Sequence, residues 1–112
     1  MPLYMIQFSY SSETWAGWIK TKENREEAVR ATLEQRGCKL HNLWYAFGES
    51  DGFALIEAPS NVSAAGVAIA ITSTGAFRSF KTSVLMTQDE AIEALGEAAQ
   101  VEYAPPGQAV HA

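Results

Sequence analysis

The chain has few basic residues and a single cysteine, and both shortages exclude classes of protein. Cys38 is the sole cysteine in 112 residues, so no intrachain disulfide can form. Neither a secreted disulfide scaffold nor a cysteine-based metal site is therefore indicated. Eight Lys and Arg stand against thirteen Asp and Glu, which gives a net charge of -5. Because non-specific affinity for nucleic acid comes mainly from cations that face phosphates, this balance excludes a nucleic-acid partner from our prediction.

Charge is absent altogether from one stretch, residues 58–77. A membrane span needs about 20 consecutive apolar residues. This stretch is interrupted by polar side chains at Ser60, Asn61, Ser63, Thr72, Ser73 and Thr74, so its apolar part is too short to span a bilayer. The first residues also lead directly into a strand pattern, without the basic and apolar regions of a signal peptide. We predict a cytoplasmic protein without a membrane partner.

The length suits one domain, and the hydrophobic pattern divides it into strands and helices. Runs rich in aromatic and branched side chains predict strands at residues 3–10, 39–47, 53–57 and 77–86. Helical spacing predicts a short helix capped by Ser12 and longer helices at residues 22–36 and 62–73. We assign the caps of those two longer helices to Thr21 and to Ser60 or Asn61, and their ends to Gly37 and Gly75. Thr87 and Glu90 have the spacing of a capping box that opens a last helix, through about residue 98.

This order is β-α-β-β-α-β with an added C-terminal helix. It predicts an α+β fold of the ferredoxin-like type, in which one antiparallel sheet carries its helices on one face. We expect a domain over residues 1–99 and a flexible tail over residues 100–112, which contains Pro105, Pro106 and Gly107.

The face of the sheet that the helices leave open is expected to be covered by a second subunit. Alternation along the strands gives one apolar face, for which we group Tyr4, Ile6, Phe8, His41, Leu43, Tyr45, Phe53, Leu55 and Phe80. The other face mixes apolar and polar side chains, for which we group Met5, Gln7, Leu40, Asn42, Trp44, Ala54, Ile56 and Lys81. A mixed face of this kind is typical neither of a dry core nor of an ordinary wetted surface. We therefore predict a homodimer or a higher homo-oligomer.

The predicted helix at residues 62–73 supports the same prediction. It is apolar nearly all the way round, and helices of that kind are buried on more than one side. Its small residues, such as Ala65 and Gly66, permit a neighbouring element to approach closely. We expect this helix to contribute to the contact between subunits.

The order and spacing of several segments resemble the GYD domain family. The resemblance rests on residues 3–10, 44–51, 57–59, 61–65 and 81–82, and it covers roughly residues 2–98. In the family's signature loop Gly48 and Asp51 match, whereas Ser50 stands where a tyrosine is expected. The resemblance implies the dimeric α/β-barrel superfold, in which two ferredoxin-like sheets pack face to face. It implies no activity, because relatives in that superfold include enzymes, haem proteins and ligand-sensing domains.

Two groups of polar residues are candidates for chemistry, and each has a structural alternative. The turn at residues 48–52 carries Glu49 and Asp51, which either bind a cation or polar ligand or, as we favour, bond to nearby backbone amides. His41 either acts as a general base oriented by Glu57 or is a structural histidine. Cys38 lies three residues from His41 on a strand, so the two side chains face opposite sides and a catalytic thiol is disfavoured.

The remaining candidates are cations and aromatic residues. Arg78 and Lys81 either hold an anionic ligand or form ion pairs with acidic side chains. Lys81 is the stronger candidate for a ligand site because it belongs to the face expected to be covered by a second subunit, where an ammonium group needs a partner. The aromatic residues either line a ligand pocket or belong to the hydrophobic core. They are Tyr10, Trp15, Trp18, Trp44 and Tyr45.

We therefore expect a small homo-oligomer that binds a small molecule and carries no cofactor or metal. Its pocket, between sheet and helices or between subunits, is lined by Trp18, His41, Trp44, Tyr45 and Lys81. One alternative is a cofactor-independent monooxygenase- or isomerase-like enzyme in which His41 is the catalytic base for an aromatic substrate. The other alternative is a structural assembly protein without a ligand.

Overall fold

A computed structural model describes residues 1–108 of the chain. Its elements are β1 Leu3–Tyr10, α1 Ser12–Thr21, α2 Arg25–Glu34, β2 Lys39–Tyr45, β3 Gly52–Glu57, α3 Asn61–Thr72, β4 Phe77–Leu85 and α4 Gln88–Ala98. The predicted order of elements is confirmed, with β2 two residues shorter than expected and β3 beginning one residue earlier.

The four strands form one antiparallel sheet in the order β2-β3-β1-β4. Because β1 lies between β3 and β4, the chain must cross over the sheet twice, and helices make both crossovers. This is the ferredoxin-like arrangement, so the predicted fold class is confirmed. No described helix has the length and apolarity that crossing a membrane would require.

The helix caps follow local chemistry, although two of them were assigned to the wrong residue. Ser11 rather than Ser12 caps α1, since its hydroxyl accepts from the amide of Thr14 at 3.2 Å. Lys22 adopts a left-handed conformation with φ of 49° and ends that helix. Thr21 therefore caps nothing, and Asn24 caps the shorter helix α2 instead. Ser60 caps α3, one of the two residues predicted for that position.

The two faces of the sheet differ from the predicted grouping for two reasons, the register of β3 against β1 and a bulge in β2. The pairing of β2 with β3 shifts between Leu40 and Asn42, which leaves His41 as the extra residue. Side chains on either side of such a bulge no longer keep the simple alternation. Leu40 therefore faces the helices together with Ala54 and Ile56, contrary to the prediction.

The corrected open face exchanges Leu40, Ala54 and Ile56 for other apolar residues. Phe53 and Leu55, which we had grouped with the helix side, lie on it. One row across the sheet, defined by paired positions in neighbouring strands, contains Trp44, Phe53, Gln7 and Lys81. Trp44 is 48% exposed, so this face presents a large aromatic side chain to solvent.

The core lies between the other face of the sheet and the helices. Its buried residues are Tyr4, Ile6, Phe8, Tyr10, Leu33, Cys38, Leu40, Ala54, Ile56, Ala58, Ala64 and Val67. Burying a large apolar side chain contributes about 1.5–3 kcal/mol, so this set supplies most of the driving force for folding. The hydroxyl of buried Tyr4 donates to the side-chain oxygen of Asn61 at 2.6 Å, which ties the start of α3 to the sheet.

The C-terminal helix extends away from these layers. The described chain measures 63 × 31 × 23 Å and has a radius of gyration of 18.5 Å, whereas a compact domain of this length has about 13 Å. None of the side chains of α4 is buried. The predicted capping box is confirmed, since Thr87 and Glu90 bond reciprocally. Residues 109–112 of the tail predicted to be flexible lie outside the described residues, and its flexibility stays a prediction.

Candidate functional site

A narrow apolar crevice lies between the sheet and helices α2 and α3. The sheet contributes Ile6, Leu43 and Ala54 to its wall, and the helices contribute Val29, Leu33, Ala64, Val67, Ala68 and Ile71. Its volume is about 60 Å³, whereas an apolar cavity that binds benzene measures about 150 Å³. The crevice is therefore large enough for a short alkyl group but too small for an aromatic ring.

Arg25 is the single charged residue in the lining of this crevice. It also lines an adjoining polar groove of about 280 Å³, together with Tyr10, Glu13, Trp18 and Glu23. Its guanidinium is 2.9 Å from a carboxylate oxygen of Glu23. The apolar crevice thus joins a polar groove, with a cation at the junction.

The sequence prediction missed Arg25, although a signal for it exists. Arg25, Val29 and Leu33 follow one another at intervals of four residues, so they lie on the same face of α2. Val29 and Leu33 belong to the apolar stripe that faces the core. A basic residue on the same helix face as such a stripe is expected to lie at the boundary of the buried region rather than in open solvent.

An aromatic cluster stands beside this junction. Tyr10 contacts Trp15, Trp18, Tyr45 and Phe77 at ring-centroid distances between 5.2 and 6.3 Å. The hydroxyls of Tyr10 and Tyr45 are 3.0 Å apart. Burial, and then the hydrogen bond with Tyr10, raises the pKa of Tyr45 far above its usual value. Tyr45 is therefore neutral in the folded protein and acts as a hydrogen-bonding wall rather than as a base.

Asp51 holds the open end of this cluster in place. One of its carboxylate oxygens accepts from the amide of Tyr10 at 2.9 Å and from the indole nitrogen of Trp15 at 3.1 Å. Arg78 approaches the same oxygen to 3.9 Å. The preferred structural interpretation of Asp51 is confirmed, but the amide belongs to β1, 41 positions away in sequence. Arg78 pairs with Asp51, an acid that the sequence reasoning had not considered for it.

His41 and Glu57 lie next to each other, which is the contact expected from the sequence if Glu57 orients the imidazole. The Nε2 atom of His41 is 2.8 Å from a carboxylate oxygen of Glu57. This hydrogen bond is the main reason that the pKa of Glu57 falls below its ordinary value. Glu57 pairs with Leu3 and Lys39 on the open face of the sheet, so the imidazole is held on that side.

The five residues predicted to line one pocket are divided between the two faces of the sheet. Trp18 and Tyr45, whose rings are 5.0 Å apart, lie on the helix side near Arg25. Trp44 and Lys81 lie in one row of the open face, and His41 bonds to Glu57 on that same side. Within one subunit the two groups therefore belong to two separate places.

Cys38 and the acidic residues do not form further reactive clusters in the described part of the chain. Cys38 is 1% exposed, and burial raises the pKa of its thiol, which keeps it protonated and poorly nucleophilic. Across residues 1–108 no three His, Cys, Asp or Glu side chains are arranged to hold a metal ion.

The sheet order, the helix-covered face and the crevice beneath α2 and α3 define a ferredoxin-like α+β domain. The chain belongs to the GYD domain family, whose family model matches residues 4–95. The resemblance seen in the sequence is thereby confirmed. No curated protein gives a significant match.

Three solved structures share the fold at low sequence identity. FFRP-DM1 is 13% identical with a TM-score of 0.51, over 77% of this chain and 100% of that one. MtbAldR is 13% identical with a TM-score of 0.54, over 78% of this chain but 53% of its own. A hypothetical protein from Pyrococcus horikoshii is 12% identical with a TM-score of 0.50, over 79% and 93% of the two chains. At these identities the likeness shows the fold alone.

Proposed function

We propose that this chain is a self-associating binding domain whose crevice under α2 and α3 holds the short alkyl part of a small molecule. The observation that carries the proposal is an apolar void of about 60 Å³ that joins a polar groove at Arg25. Apolar pockets with a few polar groups at the rim are the usual form of small-molecule sites. A structural assembly protein without a ligand has no need of such a void.

Trp18 and Tyr45 form the aromatic wall of the proposed site. Trp18 shares the polar groove with Arg25, and its ring contacts Tyr45. The indole nitrogen of Trp18 donates to the backbone oxygen of Glu23 at 2.9 Å, which fixes the ring. The polar end of a ligand therefore meets one cation and one rigid aromatic surface.

The test is a titration of isotopically labelled protein with isobutanol, followed by the methyl signals of Val67 and Ile71. We expect these signals to shift on binding. Ala68→Leu, which fills the crevice, should abolish the shifts, while the matched variant Ala65→Leu on the exposed face of α3 should preserve them. Equal binding by both variants, or no shift in the unmodified protein, would contradict the proposal.

The open face of the sheet is the proposed contact between subunits. Its row of Trp44, Phe53, Gln7 and Lys81 combines apolar surface with one ammonium group, and two such faces packed together would enclose Lys81. Trp44 and Lys81 would then line a second, intersubunit cavity, the place where the sequence suggested an anionic ligand. This arrangement is the dimeric α/β-barrel, and we propose it for a protein of the cytoplasm.

A second candidate function is general-base catalysis by His41. The hydrogen bond of 2.8 Å to Glu57 favours it, since a carboxylate bonded to one ring nitrogen holds the imidazole in a fixed orientation. His41 does not line the crevice, so the reaction would take place between the subunits. His41→Ala should abolish turnover of an identified substrate, and an unchanged rate would remove this role.

A further inference from the structure

The helix α4 has one apolar and one acidic face, and the described residues 1–108 leave the apolar face largely uncovered. Ala91, Ile92 and Leu95 follow helical spacing on one side. The opposite side carries Asp89, Glu90, Glu93 and Glu97. Leu95 is 70% exposed, although an amphipathic pattern of this kind is typical of a helix that packs on another surface.

The connection from β4 to α4 is short, so α4 begins almost directly at the edge of the sheet. Two residues, Met86 and Thr87, separate the end of β4 from the start of α4. The capping box fixes the direction of the helix at Thr87. An isolated helix shorter than about 12–15 residues is marginal in water, and α4 has 11. The described residues 1–108 bury no side chain of α4, so we look to a second molecule for the packing that stabilises this helix.

The charge of the C-terminal arm, which we define as residues 87–108, limits the kind of partner that can bind it. All eight Lys and Arg and eight of the thirteen acids precede residue 87, so residues 1–86 have no net charge and the arm carries all of the -5. Helices that lie on membranes carry cations on their polar face, which the arm lacks. The same charge disfavours nucleic acid and disfavours the pairing of two arms.

A matching surface exists on the chain itself, along the outer face of α3. Val62, Ala65, Gly66 and Ile69 recur at helical spacing and are all exposed, Val62 to 82%. The whole stretch of residues 58–77 around them contains no acid. Among the helices of residues 1–86, α1 and α2 do carry acids, so α3 is the surface on which an acidic helix meets no like charge.

We propose that the arm is an intersubunit clasp: the apolar face of α4 packs on the outer face of α3 in a second copy of the chain. The observations that carry this are the uncovered apolar stripe of α4, its projection away from the other layers, the negative charge of the arm and the acid-free apolar surface of α3. The clasp does not depend on a ligand, and it uses a surface separate from the open face of the sheet.

Disulfide trapping between two differently tagged copies tests the clasp directly. One copy carries Leu95→Cys and the other Ile69→Cys, while native Cys38 is buried and unreactive. We expect a mixed disulfide dimer to form under mild oxidation, and to form far less when Glu93→Cys on the acidic face replaces Leu95→Cys. A product joining two Leu95→Cys arms, or no mixed dimer at all, would overturn the proposal.

Hydrogen exchange separates the clasp from the sheet contact. In the full chain at high concentration, the amides of α4 should exchange about tenfold more slowly than after Leu95→Asp or Ile69→Asp, because either change removes the packing. Glu93→Gln is the matched control and should leave exchange unchanged. Protection of α4 that survives Ile69→Asp, or that persists on dilution to a monomer, would show that α3 of a second copy is not its partner.

Discussion

At the scale of single residues, Asp51 joins three parts of the chain that are distant in sequence. Its carboxylate receives the amide of Tyr10 at the end of β1, the indole of Trp15 in α1 and the guanidinium of Arg78 in β4. The amide of Asp51 in turn donates to the carbonyl of Phe8 at 2.9 Å. The aspartate of the family's signature loop therefore positions the aromatic cluster, and Ser50 beside it takes no part in these bonds.

Removal of the Asp51 carboxylate should destabilise the fold. Asp51→Ala leaves two N–H donors without an acceptor, and we expect a loss of about 2 kcal/mol in the free energy of unfolding, measured in urea. Asp51→Asn should cost less because the amide oxygen still accepts. Glu49→Ala in the same loop is the control, and an equal loss there would mean that the loop rather than the carboxylate is responsible.

The pair formed by His41 and Glu57 should make stability depend on pH in the acid range. The hydrogen bond lowers the pKa of Glu57 below its ordinary value of 4.5. A depressed carboxyl pKa adds stability above the unfolded value, and this stability is lost as the pH falls through the folded pKa. We expect the melting temperature of the unmodified protein to fall more steeply between about pH 5 and about pH 3 than that of His41→Ala. Parallel curves would contradict the prediction.

At the scale of the elements, the first residue of β3 must be glycine. A Cβ at Gly52 would lie 2.3 Å from the tip of the Phe8 ring. That ring has little freedom to move, because it packs against Tyr10, Tyr45 and Phe77. The reason is the space taken by the side chain of Phe8, the residue paired with Gly52 on the adjacent strand β1.

Gly52→Ala should therefore destabilise the protein by overpacking, by about 1–3 kcal/mol. Gly48→Ala in the same loop is the matched control, since nothing lies within 4 Å of its Cβ position. Chemical denaturation of both variants measures the difference. If the two glycines tolerate alanine equally well, Phe8 does not constrain this position.

The helices and strands were predictable because their signals are local. The hydroxyl of Thr87 and the carboxylate of Glu90 need only their own turn of helix to form the capping box. The caps of α1 and α2 were each assigned wrongly because Ser11 and Ser12, or Thr21 and Asn24, offer the same chemistry, and tertiary packing chooses between them. The side-chain hydroxyl of Thr14 donates a hydrogen bond to the carbonyl of Ala76, which directly precedes β4, and this bond fixes where α1 begins.

At the scale of the whole molecule, the open face of the sheet and the arm both expose apolar surface that a single subunit does not bury. A stable protein interface is organised around a few central aromatic or aliphatic anchors. On the open face the side chains that could serve as such anchors are Trp44, on the edge strand β2, and Phe53 and Leu55 on the neighbouring β3. The two surfaces are formed by different residues, so each can be tested by substitutions that leave the other unchanged.

Trp44→Asp should weaken self-association about thirtyfold or more, since a tryptophan that anchors an interface contributes about 2 kcal/mol or more. Sedimentation velocity over a range of concentrations measures the change. Ile19→Asp, the same kind of substitution at a residue of α1 that is 65% exposed, serves as the control. A monomer in the unmodified protein at micromolar concentration, or an unchanged dimer of Trp44→Asp, would exclude the open face as the contact.

The sequence by itself determined the order of the elements, the fold class and the excess of apolar surface, because propensities, caps and hydrophobic periods act over a few residues. Only the tertiary structure decided which side chains meet. A single extra residue at His41 shifts the alternation of β2, and register alone places Ala54 and Ile56 under the helices. Because successive side chains of a strand point to opposite faces, one such shift reassigns a whole row. The bulge places His41 on the open face beside Glu57, whereas Trp44 and Tyr45 follow one another in β2 and therefore lie on opposite faces. The predicted single pocket thus becomes a crevice under the helices and a proposed contact surface on the other side of the sheet.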